Sequence, residues 1–255
     1  MKCGKLVIAG IGPGSFGGMT LDAKAAVERA EIIVGYTKYI ELVRTAFPEI
    51  DGEKFLSTGM MREEERCTIA LEEASRGKEV VLVCSGDSCI YGMASLALAL
   101  SEPFPLVEIE IVPGVTAAVS GGAILGSPLT ADFAVISLSN LLIPQEKIEK
   151  RLRASSKGDF VIALYNPRSK NRPDVLARAA EILLEERDGK TVCGFVRNIA
   201  RDGEEFGFCT LSELGKLDMD MFCTVFVGNS ETELIERNGR KFMVNPRGYG
   251  RKENG

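Results

Sequence analysis

Short apolar runs alternate along this chain with segments whose apolar residues recur at helical spacing. Lys5–Gly10 (KLVIAG) is continuous enough to predict a strand buried on both faces. Leu21–Ala30 predicts a helix with Thr20 at its N-cap. Strands are expected over Glu31–Gly35, Glu79–Ser85 and Val107–Val112, with a charged amphipathic helix over Glu63–Arg76 stopped by Gly77. A short Ala/Gly-rich helix is expected over Ala117–Leu125. In the second half Phe133–Ser137, Asp159–Tyr165, Thr191–Val196 and Cys223–Val227 read as strands, and Lys241–Val244 as a last edge strand. Asp174–Glu186 is the clearest helix among them. This alternation predicts an α/β fold with mostly parallel sheets. The break at Pro113-Gly114 divides it into an N-terminal α/β domain, residues 1–112, and a C-terminal one, residues 116–255. The tail Gly250–Gly255 is expected to fray.

Composition narrows the chemistry. The 255 residues include no histidine, which excludes Ser-His-Asp and Cys-His machinery and any imidazole base. Acid–base work falls to Asp, Glu, Tyr, Lys, Cys or the substrate. A net charge of −5 argues against a broad nucleic-acid surface but permits a local basic pocket. Seven cysteines, none in CxxC spacing, read as reduced thiols of a cytoplasmic protein, with no metal framework. No signal-peptide profile opens the sequence, and no apolar run reaches the length of a membrane span.

Four loops that follow strands carry the candidate chemistry. Gly12-x-Gly14-x-x-Gly17 formally matches a dinucleotide fingerprint. Two features weaken the match. The helical pattern begins only near Leu21, and no acid ends the second strand to hold a ribose. A tight glycine turn explains the same residues. Ser85-Gly86-Asp87-Ser88-Cys89-Ile90-Tyr91-Gly92-Met93 offers Asp87 as a ribose ligand, a cation ligand or a base, or as a cap for the following helix. Cys84 reads as a core residue; the role of Cys89 stays open. Val112–Ala118 offers a Pro-Gly turn and the Thr116 hydroxyl. Tyr165-Asn166-Pro167-Arg168-Ser169-Lys170-Asn171-Arg172 sets three cations in one loop. They form either a solvated surface or a site for carboxylates or phosphates. Arg197 and Arg201 could extend such a positive wall.

Taken in order, the GxGPG loop after the first strand, SGD…YGM, PGVTAA, ISLSN, LYNPRS, VGNS and PRGY resemble the tetrapyrrole methylases. These are S-adenosylmethionine (SAM) methyltransferases that modify precorrins. The last four of these motifs resemble most the carbon-17, ring-contracting branch of cobalamin biosynthesis. The resemblance runs from Lys5 to Tyr249. It implies two α/β domains, SAM as co-substrate in the cleft between them, and a homodimer. Carried over, the SAM contacts are Pro13, Ser85, Gly86, Asp87, Ile90, Thr116 and Ala117, with Tyr165 and Ile199 from the C-terminal side. Arg168, Lys170, Arg172 and Arg197 are the candidates for the acetate and propionate arms of a tetrapyrrole, with or without cobalt; no metal site of the protein's own is implied. Asp87 is the one motif carboxylate placed for a catalytic role. Two departures stand out: Ser88-Cys89-Ile90 replaces the expected Ala-Gly-Val, and Asn140 replaces an aspartate.

The implied reaction is methylation of carbon 17 of precorrin-3B or cobalt-factor III with ring contraction. Methyl transfer from a sulfonium requires alignment of donor and acceptor carbon more than acid–base groups, which suits a chain without histidine. The alternatives are another tetrapyrrole methylase, acting on uroporphyrinogen or another precorrin position, a diphthine or ribosomal-RNA methylase, and a regulatory module that binds SAM without turnover.

Overall fold

The computed structural model describes residues 4–169 and 172–248. Lys170, Tyr249 and the tail Gly250–Gly255 lie outside the described residues. The chain forms two compact units, residues 1–117 and 118–255.

The first unit contains β1 (Lys5–Gly10), α1 (Leu21–Arg29), β2 (Ile32–Tyr36), α2 (Thr37–Ala46), β3 (Phe55–Thr58), α3 (Glu63–Ser75), β4 (Glu79–Cys84), α4 (Ala94–Ala99) and β5 (Glu108–Val112). Its sheet has the order β3-β2-β4-β1-β5, and all four pairings are parallel. Alternate residues of the central strands feed two cores. Val7, Ala9, Val81 and Val83 pack with α1 and α2 on one face. Leu6, Ile8, Val80, Leu82 and Cys84 pack with α3 and α4 on the other. Burial on both faces is why these strands are written as unbroken apolar runs. The chain leaving β1 goes to one face and the chain leaving β4, its neighbour, goes to the other. Such divergence opens a crevice at the carboxyl ends of the strands.

The second unit carries α5 (Ala117–Leu125, entered from the first unit), β6 (Gly126–Ser127), β7 (Phe133–Ser137), α6 (Gln145–Lys157), β8 (Val161–Tyr165) and α7 (Val175–Leu184). It continues with β9 (Val192–Arg197), β10 (Glu205–Thr210), α8 (Leu211–Leu214), β11 (Cys223–Val227), β12 (Glu233–Arg237) and β13 (Arg240–Val244). The order of its main sheet is β10-β9-β11-β8-β7. Here the expectation of parallel pairing needs correction: only β7–β8 is parallel, and the other three pairings are antiparallel. For β9 and β10 the cause is local: the chain returns through residues 198–204 with no crossover helix, so the two strands run antiparallel. α6, α7 and α8 cover one face around Ile148, Leu152, Leu176, Ile182 and Leu211. α5 covers the other, where Gly194 leaves room for Leu125. Lys241–Val244 is not an edge: β13 lies between β12 and β6 in a small third sheet.

Candidate active site

Three loops converge at the carboxyl ends of β1, β4 and β5, and backbone packs on backbone where they meet. Gly12 and Gly86 exchange N–H···O bonds of 3.0 and 2.7 Å. A Cβ on Gly114 would stand 2.1 Å from the Gly86 carbonyl oxygen, and one on Gly10 would stand 2.7 Å from the same atom. No side chain fits at either position. Gly86 itself has φ +71°, a left-handed conformation natural to glycine, and a Cβ built on it would make ordinary van der Waals contact with Thr116 and Ala117 at 3.7–3.9 Å.

Asp87 ties the convergence together. Its Oδ1 accepts the N–H groups of Cys89 and Ile90 at 2.8 and 2.9 Å, and its Oδ2 accepts that of Gly114 at 2.8 Å. Burial alone would raise its pKa, but backbone donors from Gly114, Cys89, Ile90 and Ser88 outweigh burial and hold the carboxyl below its ordinary value. The helix-cap reading is corrected: α4 starts only at Ala94, so Asp87 organises a turn and a neighbouring loop. A carboxylate that keeps its charge and gives both oxygens to backbone is a positioning group, poorly suited to taking a proton. Ser88, one of the departures, adds a second tie by donating its hydroxyl to the Val112 carbonyl at 2.9 Å. The sequence marked Ser88 only as a departure and gave no sign of this bond.

Around this knot Pro13 and Thr116 are buried, Ser85 is half-buried, and Ile90 and Tyr91 are exposed apolar side chains at the rim. Tyr91 is held at φ 55°, a costly conformation for a bulky residue. The structure thus gathers Pro13, Ser85, Gly86, Asp87, Ile90, Thr116 and Ala117 along one rim. Cys84, just beneath, is a core residue whose thiol burial pushes up to about 12. Cys89 is exposed. The dinucleotide fingerprint fails on geometry. α1 begins at Leu21, beyond all three glycines, and a Cβ on Gly17 would touch nothing within 4 Å.

In the second unit Tyr165 and Ile199 both meet α5. The Tyr165 hydroxyl accepts the N–H of Ala118 at 2.6 Å, and Ile199 packs where Gly121 leaves space. Asn166, at φ 55°, donates to the Ser137 hydroxyl at 2.9 Å, which also accepts the Ser139 N–H. Asn140 is exposed. Two of the candidate cations are ion-paired. Arg168 pairs with Asp218. Arg197 contacts Asp220 at 3.4 Å, Glu205 at 3.3 Å and the Asp218 carbonyl at 2.7 Å. Arg172 is different: its guanidinium reaches the Leu138 carbonyl at 3.4 Å and has no carboxylate partner among the described residues.

Other proteins resemble this chain over nearly its whole length. The family model for tetrapyrrole (corrin/porphyrin) methylases matches residues 5–215. The chain is 44% identical over 246 residues, 96% of its length and 99% of the relative's, to a probable cobalt-factor III C(17)-methyltransferase of Salmonella typhimurium. It is 36% identical over 251 residues to a precorrin-3B C(17)-methyltransferase of a Sinorhizobium species, covering 96% and 97% of the two chains. Among solved structures, the methyltransferase CobJ superposes with a TM-score of 0.86 at 36% identity, covering 95% of this chain and 100% of that one. The three loops knotted at Asp87 lie inside the matched region, and with this agreement of motif, fold and sequence the chain belongs to the tetrapyrrole methylase family.

Proposed function

We propose that this protein transfers a methyl group from SAM to carbon 17 of precorrin-3B or cobalt-factor III, with contraction of the macrocycle. The observation that carries the reading is the rim of three glycine-knotted loops, in a chain whose full-length relatives bear that activity in their names. Pro13, Ser85, Gly86, Thr116 and Ala117 line the donor's cradle, Ile90 supplies apolar contact, and Asp87 holds the cradle's shape. The family resemblance adds Tyr165 and Ile199 to the donor set. Arg172 takes a carboxylate arm of the acceptor. Arg168 and Arg197, ion-paired with exposed acids, exchange those partners for carboxylate arms of the acceptor.

The chemistry asked of the protein is alignment. The methyl carbon must face carbon 17 in line with the departing sulfur, and the rigid rim fixes one partner of that line. The donor leaves as neutral S-adenosylhomocysteine, so the step itself needs no acid.

The test is anaerobic incubation with radiolabelled SAM and cobalt-factor III, alongside hydroxylated, metal-free precorrin-3B. A methylated, ring-contracted product from either supports the reading and identifies the substrate form; we expect the cobalt form to serve. Binding of SAM without turnover of any tetrapyrrole would indicate a sensor, and NAD binding in calorimetry with no SAM binding would overturn the donor assignment.

A further inference from the structure

The edge of the second sheet brings two thiols face to face. Cys193 on β9 and Cys209 on β10 are direct partners in the antiparallel register. Opposed residues of such a pair have α-carbons about 4.5–5.5 Å apart. Disulfides span about 4.4–6.8 Å. Both side chains lie on the face covered by the second unit's core, and the Cys193 thiol donates to the Thr191 carbonyl at 3.7 Å. Cys193 is wholly buried, whereas Cys209 is partly exposed on the outermost strand.

We propose that Cys193 and Cys209 form a reversible dithiol–disulfide site, oxidised by small-molecule disulfides of the glutathione type, that fastens β10 to β9. The thiol chemistry runs in one order. The neighbouring Cys193 thiol holds the Cys209 thiol below its ordinary pKa despite burial, whereas Cys209 and burial together raise that of Cys193. The Cys209 thiolate attacks one sulfur of the small disulfide. A Cys209 mixed disulfide forms, and one small thiolate leaves and takes a proton. Cys193 then loses its proton, attacks the Cys209 sulfur and expels the second small thiol. Two protein thiols are oxidised to one disulfide and one small disulfide is reduced to two thiols, so electrons and protons balance. The bond closes the hairpin that contains Arg197, Ile199 and the left-handed residues Asn198 and Ala200. Oxidation therefore stiffens the segment that carries the Ile199 contact with α5.

The experiment equilibrates the folded full-length protein with excess glutathione disulfide. It then alkylates the free thiols under denaturing conditions and maps the peptides by mass. The expected result is a loss of two alkylatable thiols, a Cys193–Cys209 linked peptide, and full reversal by dithiothreitol. The oxidised wild type should also melt several degrees higher than the reduced form, and Cys209→Ser should lose both the linked peptide and the shift. In Cys193→Ser the mixed disulfide on Cys209 should accumulate. Should that buried variant fail to fold, the wild-type peptide map alone decides. Glutathione on the exposed Cys89 maps to a different peptide. Retention of both thiols in the wild type, or a crosslink joining either one to another cysteine, would overturn the proposal.

Discussion

At the scale of single residues, the site is a matter of which atoms are already committed. Asp87→Asn keeps an acceptor for Cys89 and Ile90 but turns an N–H donor toward the N–H of Gly114. A hydrogen bond to a charged group contributes about 1.5–3 kcal/mol. We expect a loss of that order in thermal or urea denaturation, accompanied by weaker SAM binding in calorimetry. A fall in turnover with stability and affinity unchanged would instead make Asp87 a catalytic residue. The carboxyl's pKa is lower folded than unfolded, so the native state binds fewer protons than the unfolded one in acid. Its contribution is complete above the ordinary value of 3.8 and disappears as pH falls below that value through the folded pKa. The wild type should therefore lose stability more steeply than Asp87→Asn on acidification through that window. Two glycine changes make a contrast. Gly114→Ala drives a Cβ into a backbone oxygen and should cost about 3 kcal/mol or more, at the upper end for overpacking. Gly17→Ala meets open space and should be neutral or slightly stabilising by melting temperature, which a true dinucleotide fingerprint would not tolerate. Gly86→Val should destabilise the fold, read by thermal denaturation, because φ +71° is strained for a β-branched residue. For Arg172→Ala, loss of a charge-assisted contact should raise KM for the tetrapyrrole roughly 10–100-fold. SAM affinity should stay unchanged.

At the scale of elements, caps and junctions do more than end helices. Thr20 accepts the Ala23 N–H to cap α1 and donates to the Pro113 carbonyl at 3.1 Å, fastening the helix start to the loop after β5. Thr20→Ala removes both bonds and should cost about 1–2 kcal/mol in denaturant titration. The cap was readable because Thr followed by a helical pattern is a start signal. β1, α5, β7 and β11 coincide with their expected spans for a similar reason: buried strands and a small-residue helix leave compact apolar marks. α2, α6, β3, β10 and β12 escaped the pattern. α6 buries Ile148, Leu152 and Ser156 alone, a stripe too thin to stand out among charges. β10 carries Gly207 and shows its Phe206 to solvent, so its alternation is weak. Within α3, the charged run hides Arg66, which is buried and bonded to Thr58 and Gly59 while stacking over Tyr36.

At the scale of the whole molecule, each unit buries its own core, two in the first and one in the second. Separate cores predict departure from a single transition, so the calorimetric enthalpy of unfolding should exceed the van't Hoff value. Saturating SAM should stabilise the protein by about 2.7 kcal/mol at one hundred times its Kd. Coincidence of the two enthalpies would show that the units unfold as one. Much of this protein was determined by its sequence alone: the absence of imidazole chemistry, the buried strands of the first sheet, and the motif order that marks its family. Those features are written in residue identity and short-range spacing, which a linear reading retains. The tertiary structure alone decided that Asp87 locks two loops, that Ser88 reinforces them, and that Arg168 and Arg197 are ion-paired with acids far along the chain. It also decided that the second sheet runs mostly antiparallel and sets Cys193 against Cys209. The physical reason is common to all of these. A side chain's pKa, its free valences and its partner across a sheet depend on groups brought near by folding, and sequence separation carries no record of that distance.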